Sequence, residues 1–188
     1  YIETVKRNLN NPVGFAEEIY TDMLAQAVRV YSKYVPQHIT VDTSGAGSFN
    51  LALPSGWVDG FSHITAIEYP YNATIQIPTR MKDTTYRLYR TPTGVVLRFL
   101  TASPSTSEII RLTYTAPHTI TFSSTTIPLF HEDAVSNKTC SLIADAIAAD
   151  YANHARSTLD EIAIDFQNKY NEWASIADRY EVLFRRDL

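Results

Sequence analysis

The sequence predicts an α+β protein in which three long helices form a core and a β-rich region is inserted after the first of them. Apolar residues recur at three-and-four spacing near both ends of the chain, which is typical of helices with one buried face. Between these ends the period changes to two, and β-branched and aromatic residues are separated by Gly, Ser and Pro. The two patterns do not alternate along the chain, so we expect antiparallel strands rather than a parallel sheet.

The changes of period also give the expected domain organisation. We expect an N-terminal helix of the core within residues 1–37 and a β-rich insertion at 38–127. Two C-terminal helices at 128–184 complete the core, and residues 185–188 form a short tail. A chain of 188 residues, of which 45% are hydrophobic, is long enough for one core with a large insertion.

The first helix is predicted from about Val13 to Tyr34. Pro36 ends it, because a proline disfavours helical dihedrals in the residue before it. The residues expected on its buried face are Ile19, Met23, Ala27, Tyr31 and Tyr34.

Six strands are predicted in the insertion, near 39–43, 48–53, 63–69, 85–90, 95–100 and 108–115, with a weaker seventh near 119–122. The clearest hairpin turn is Thr91-Pro92-Thr93-Gly94. The strands are expected to form one small sheet with a buried face and a solvated face. The turn and strand from Leu53 to Pro70 are expected to be the scaffold of the insertion, with Trp57 sealing the turn.

The two C-terminal helices differ in character. The first is rich in alanine, which allows another helix to approach closely. The second has an almost heptad-like seam, which favours shallow packing against a neighbouring helix. Packing within the chain is favoured over an intermolecular coiled coil, which stays open as an alternative. The seam consists of Leu159, Ile162, Phe166, Tyr170, Trp173, Ala177, Tyr180 and Phe184.

Composition and motifs argue against several classes of function. A formal net charge of -4 and a pI near 5.7 do not favour a general nucleic-acid binder. The single cysteine, Cys140, cannot close an intrachain disulfide, which is typical of a chain folded in a reducing cytoplasm. No apolar run approaches the roughly 20 residues that span a bilayer.

We expect no catalytic, cofactor-binding or metal-binding residues. The five histidines lack the spacing that places two rings on one helical face. A carboxylate pair is possible among Asp160, Glu161 and Asp165, but acids at the start of a helix more often complement its dipole. A hydrolase that uses His63 with Asp59 stays open as a minor alternative, although nothing in the sequence orients the pair.

Aromatic and basic residues are the candidates for contacts with partners. The chain has twelve tyrosines, and amphipathic rings in a β region can either pack on the sheet or anchor an interface. Trp57, Tyr69, Tyr71 and Tyr89 are therefore candidate interface residues. At the C-terminus, Arg185 and Arg186 either complement the helix dipole or dock in an acidic groove.

Four stretches together resemble the head-to-tail connector (adaptor) proteins of tailed bacteriophages. One is an alanine-rich helix after residue 130. The other three are Tyr31-Ser32-Lys33-Tyr34-Val35-Pro36, Leu53-Pro54-x-x-Trp57-x-x-Gly60-Phe61-Ser62-x-Ile64-x-x-Ile67-Glu68-Tyr69-Pro70, and Leu112-Thr113-Tyr114-Thr115-Ala116-Pro117-His118. The likeness extends from about Val13 to Tyr180, and other small phage neck and tail-completion proteins share the same general pattern.

The resemblance implies a non-enzymatic virion protein, made in the bacterial cytoplasm, that assembles as a ring, typically dodecameric, beneath the portal. It links the portal to the next neck or tail protein, and viral DNA passes through its lumen without specific binding. By position, the resemblance assigns portal docking to Phe184, Arg185, Arg186 and Leu188. The alternative from another class is a β-rich module that recognises carbohydrate or a host surface through its exposed aromatic residues.

Overall fold

The computed structural model describes residues 1–10, 12, 16–74, 77, 79–121, 123–157 and 161–188, without the side chains of 155–157 and 161–164. This part of the chain contains four helices and two small antiparallel sheets, which confirms the α+β class. The helices are α1 (Ile2–Asn8), α2 (Glu17–Tyr34), α3 (Glu132–Ser157) and α4 (Glu161–Arg186). The strands are β1 (Gln37–Ser44), β2 (Asn50–Ala52), β3 (Ile64–Glu68), β4 (Tyr86–Thr91), β5 (Gly94–Phe99) and β6 (Ile109–Ala116).

The long helices lie near their predicted positions, and one short helix was not predicted. Helix α2 ends at Tyr34, two residues before Pro36, while the predicted start at Val13 lies outside the described residues. Helix α1 has seven residues, too few for a helical period to be read from the sequence. Its Val5 is nevertheless fully buried.

The chain divides into two compact units. The helical unit comprises residues 1–35 and 118–188, and the β unit comprises residues 36–117. Residues 118–127, which we expected in the β-rich insertion, therefore lie with the helices. A predicted seventh strand in this stretch is reduced to a single bridge between Ile120 and Thr125, and Phe122 lies outside the described residues.

The β unit contains two three-stranded sheets rather than the single sheet that we predicted. One has the order β1-β6-β3 and the other β2-β5-β4. Alternate residues of both sheets meet in one apolar cluster, because successive side chains of a strand point to opposite faces. This cluster consists of Leu51, Ile67, Leu97, Phe99, Ile110, Leu112, Tyr114 and Ala116.

The predicted hairpin at residues 91–94 joins β4 to β5. Thr91 and Gly94 are directly paired across the two strands, and the Thr91 hydroxyl donates to the Gly94 carbonyl at 2.8 Å. Gly94 has φ +138°, a backbone conformation that favours glycine.

The helical unit is held together by the seam of α4, whose described part packs against α3 of the same chain. Ala177, Tyr180 and Phe184 are all at least 93% buried. Tyr180 joins a cluster with Cys140 and Ile143 of α3, and Phe184 joins a second cluster that contains α2 and α3 residues. Leu159 lies outside the described residues, as does the side chain of Ile162.

Candidate interaction surfaces

The turn that precedes β3 is closed by Trp57. The Trp57 ring lies 5.8 Å from the Tyr114 ring, and the Val58 amide donates to the Ser62 hydroxyl at 2.9 Å. A side chain at Gly56 would crowd the Tyr114 hydroxyl, so the turn fits closely on β6. Trp57 is therefore engaged inside the β unit and is half-buried.

Tyr69, at the end of β3, fixes the loop that leads into β6. Its hydroxyl donates to Glu108 Oε2 at 2.9 Å, and the Ser105 amide donates to the same oxygen at 2.7 Å. The hydrogen bond from the Ser105 amide lowers the pKa of Glu108, while burial raises the pKa of Tyr69. The Tyr69 ring also lies 6.2 Å from the Phe99 ring. Most of this side chain is thus committed to the fold of the β unit.

An ion pair on the outer face of the β1-β6-β3 sheet lies beneath Tyr71. Arg111 donates to both carboxylate oxygens of Asp42, at 2.7 and 2.8 Å, which lowers the pKa of Asp42 and raises that of Arg111. Glu68 faces Arg111 on the other neighbouring strand. The Arg111 guanidinium lies 3.7 Å from the Tyr71 ring centroid, a cation–π distance. The sheet therefore presents a rigid polar surface covered by one aromatic ring.

The outer face of the β4–β5 hairpin is cationic and aromatic. Arg87 and Arg98 are directly paired across the strands, an arrangement of like charges that destabilises a sheet. Neither arginine has an ion-pair partner within the described part of the chain. Tyr89, two residues from Arg87 and so on the same face, is 43% exposed, with the Arg98 guanidinium 5.1 Å from its ring. Of the four predicted interface aromatics, Tyr89 is the most clearly available to a partner.

The C-terminal residues predicted to dock on a portal fall into two groups. Phe184 is only 1% exposed, with its ring 5.9 Å from Tyr34, so it belongs to the helical core. Arg185 and Arg186 have side chains that are each 68% exposed. Leu188 is half-buried against the core. Phe184 and Leu188 thus anchor the end of α4, and the two arginines are exposed while paired with Glu181 and Asp187.

Two surface features of the helical unit were not predicted from the sequence. The first is an apolar groove with a volume of about 500 Å³ beside α2. The second is the Leu129–Phe130 turn before α3, whose residues are 82% and 77% exposed. A signal for the turn was present in the sequence, since two large apolar residues follow directly on Pro128.

Asp59 and His63, which were considered for catalysis, contact different partners, while Asp160 and the side chain of Glu161 lie outside the described residues. Asp59 pairs with Arg90 at 3.0 Å, while His63 Nδ1 lies 3.0 Å from the Thr115 hydroxyl. Cys140 is fully buried, and burial raises the pKa of its thiol to about 12, so the nucleophilic thiolate is disfavoured. Within the described ranges no three His, Cys, Asp or Glu side chains lie close enough to bind a metal ion.

None of the described helices is both long enough and apolar enough to cross a bilayer. This includes the two longest helices, α3 and α4, which have 26 residues each.

Comparison with known proteins finds a likeness among solved structures. No protein-family model matches the chain. No curated protein matches it. Among solved structures, the chain is similar to one described as "Neck of empty GTA particle computed with C6 symmetry", with 16% sequence identity, a TM-score of 0.35 and coverage of 74% of each chain. A TM-score at this level does not establish a shared fold.

Proposed function

We propose that this chain is a non-enzymatic structural protein of a tailed-phage-like virion, a ring-forming adaptor in the neck. The observation that carries the proposal is that the stretches resembling connector proteins, far apart in sequence, make direct contacts. Strand β3 and strand β6 carry two of these stretches, and Ile67 pairs with Leu112 between them. The end of α2 carries another, and its Ser32 hydroxyl accepts a hydrogen bond from the His118 amide at 2.9 Å.

The stretches that resemble connector proteins are therefore in contact with one another, although they lie far apart in the sequence. In the helical unit, Ser32 also donates to the Val28 carbonyl at 2.7 Å, so its hydroxyl ties the end of α2 to the chain that leaves β6. The Tyr31 ring packs 5.2 Å from the His118 ring beside this bond. Residues that carry the resemblance thus hold the points where the chain enters and leaves the helical unit.

In the proposed role the ring is dodecameric, sits beneath the portal and contacts the next neck or tail protein on its other side. DNA passes through the lumen without specific binding. Arg185 and Arg186 dock in an acidic site on the portal, while Phe184 and Leu188 fix the end of α4. The Asp187 carboxylate accepts from Asn137 at 2.9 Å, which holds this segment against α3 before docking.

Contacts between subunits of the ring involve the β unit. Tyr89 makes a direct contact, because it is exposed and shares a face with Arg87 and Arg98, which have no ion-pair partner among the described residues. Trp57, Tyr69 and Tyr71 are half-buried and contribute the part of their surface that stays accessible. Carbohydrate recognition, the alternative from another class, calls for several freely exposed rings, whereas Trp57 and Tyr69 are engaged with Tyr114 and Glu108.

Binding to the portal of the same particle tests the proposed role. We expect the wild-type chain to co-sediment with portal rings, and the double variant Arg185→Glu, Arg186→Glu to bind at least tenfold more weakly. The matched control is Arg7→Glu, Lys33→Glu, which makes the same change in net charge at two exposed helical positions. A wild-type chain that does not bind portal rings would overturn the adaptor role. Equal losses in both double variants would refute docking by the C-terminal arginines.

A further inference from the structure

The apolar groove lies entirely within the helical unit and is built from three segments. One wall is a face of α2 that includes the buried side chains of Leu24 and Val28, the second is Ile2 of α1, and the third is the segment 118–121. The side chains that give it apolar character are Ile2, Leu24, Ala25, Val28 and Ile120. A volume of about 500 Å³ is within the usual range of pockets that receive a ligand or an anchoring side chain.

The Leu129–Phe130 turn has the shape and chemistry of an anchor. It forms a short 3-10 helix, Leu129–His131, immediately before α3. The Phe130 ring rests on the His131 ring at 4.4 Å, and the Tyr31 hydroxyl bonds to His131 Nδ1 at 2.6 Å. The exposed apolar pair is therefore held by the helical unit and is not among the residues that line the groove. Two adjacent large apolar side chains exposed on a turn form an apolar patch of the kind that marks protein interaction sites.

Charge complements this apolar match. Arg29 lies in the lining of the groove and has no ion-pair partner in the described part of the chain. Asp133 is exposed on the first turn of α3, three residues after Phe130, and it likewise has no ion-pair partner among the described residues. An apolar anchor followed by an acid thus matches an apolar groove with a cation in its lining.

We propose that the Leu129–Phe130 turn of one copy docks in the apolar groove of a second copy, with Asp133 facing Arg29. This inference rests on the proposed ring and names a contact that builds it. The anchor and the groove are different surfaces of the same chain, so the contact is heterologous and leaves a free anchor and a free groove at its ends. Such contacts close into a ring when the rotation between copies permits.

Two anchoring side chains and one ion pair bury far less than the roughly 1,200–2,000 Å² of a stable interface. The contact is accordingly weak between two free copies and becomes persistent when a ring or a portal holds several copies together. A test must therefore capture a transient complex rather than rely on the mass of the free protein.

Photo-crosslinking from the anchor provides this test. The full-length variant Phe130→p-benzoylphenylalanine, mixed at high concentration with isotope-labelled wild type, is irradiated, and cross-linked peptides are identified by mass spectrometry. We expect links from labelled to unlabelled chains that map to residues 21–29 or 118–121. Val182→p-benzoylphenylalanine is the matched control, because Val182 is an apolar residue of α4 that is 65% exposed. Intermolecular links that are absent, or that map equally from both probes, would overturn the proposal.

A charge exchange gives a second, independent readout. Arg29→Asp and Asp133→Arg should each reduce cross-linking from residue 130 by at least threefold, and the double variant should restore it. No recovery in the double variant would refute the pairing of Asp133 with Arg29. If the chain still forms rings on the portal while both experiments fail, the adaptor role stands and this contact is wrong. If rings also fail to form, the proposed function falls with it.

Discussion

Replacing Phe184 with alanine should lower the free energy of unfolding of the helical unit. The side chain is 1% exposed and belongs to the cluster that joins α2, α3 and α4. Burying a phenylalanine removes about 150–250 Å² from water, worth about 4–6 kcal/mol at 25 cal/mol per Å², which is an upper estimate. Measured Phe→Ala changes in cores cost about 3–5 kcal/mol. We therefore expect the free energy of unfolding to fall by about 3–5 kcal/mol.

Urea titration followed by far-ultraviolet circular dichroism measures this change, because all four described helices belong to the helical unit. Phe184→Leu is the control for volume and should cost less than about 1.5 kcal/mol. Arg185→Ala should change stability by less than about 1 kcal/mol, because its ion pair with Glu181 is exposed on the arginine side. A loss below about 1 kcal/mol in Phe184→Ala would refute the core role assigned to this residue.

Three further changes test the structure at other points. Burial lowers the pKa of His118 in the folded state. The free energy of unfolding should therefore be highest above about pH 6.5 and should fall as the pH decreases towards the lowered folded-state pKa. This loss should be absent in His118→Gln. Gly45→Ala should unfold the β unit at lower urea, because its methyl group would overlap carbonyl oxygens of Pro104 and the next residue. Lys138→Met should cost about 1–2 kcal/mol, because it removes the shorter and more buried of the ion pairs that Glu181 makes among the described residues, and leaves the exposed pair with Arg185.

Each of these predictions has a result that would contradict it. For His118, equal pH dependence in the wild type and the glutamine variant between about pH 5 and 7 would assign the loss to other groups. For Gly45, near-ultraviolet circular dichroism of the β unit should report the change, and an unchanged urea midpoint would show that the loop yields without cost. For Lys138, the matched variant Lys169→Met removes an exposed pair, and equal costs for both would refute the importance of burial.

Regular elements were predictable because their periods are set by local geometry. The six main strands follow a period of two and the three long helices a three-and-four spacing. Pro36 marks a helix end because it restricts the residue before it, and Gly94 marks a hairpin because glycine tolerates positive φ. The division of the strands into two sheets was not predictable in this way. Period-two patterns identify a buried face, but they do not state which strand lies beside which.

For the candidate interaction surfaces too, the sequence pattern does not state which residues are in contact. Sequence identified Tyr89 and Tyr69 as equivalent aromatic residues of β-rich segments. Only tertiary contacts separate them, because Glu108 and Phe99 engage Tyr69 while the ring of Tyr89 stays largely exposed. Phe184 was similarly grouped with its neighbouring arginines by position, although the helical seam that contains it indicated burial.

Imaging the chain on its portal tests the central claim most directly. Two-dimensional class averages from electron microscopy of the purified complex report whether the copies form a closed ring and how many copies it contains. The proposed adaptor predicts a closed dodecameric ring beneath the portal. Portal rings without an added layer, or isolated copies attached without closure, would contradict the account.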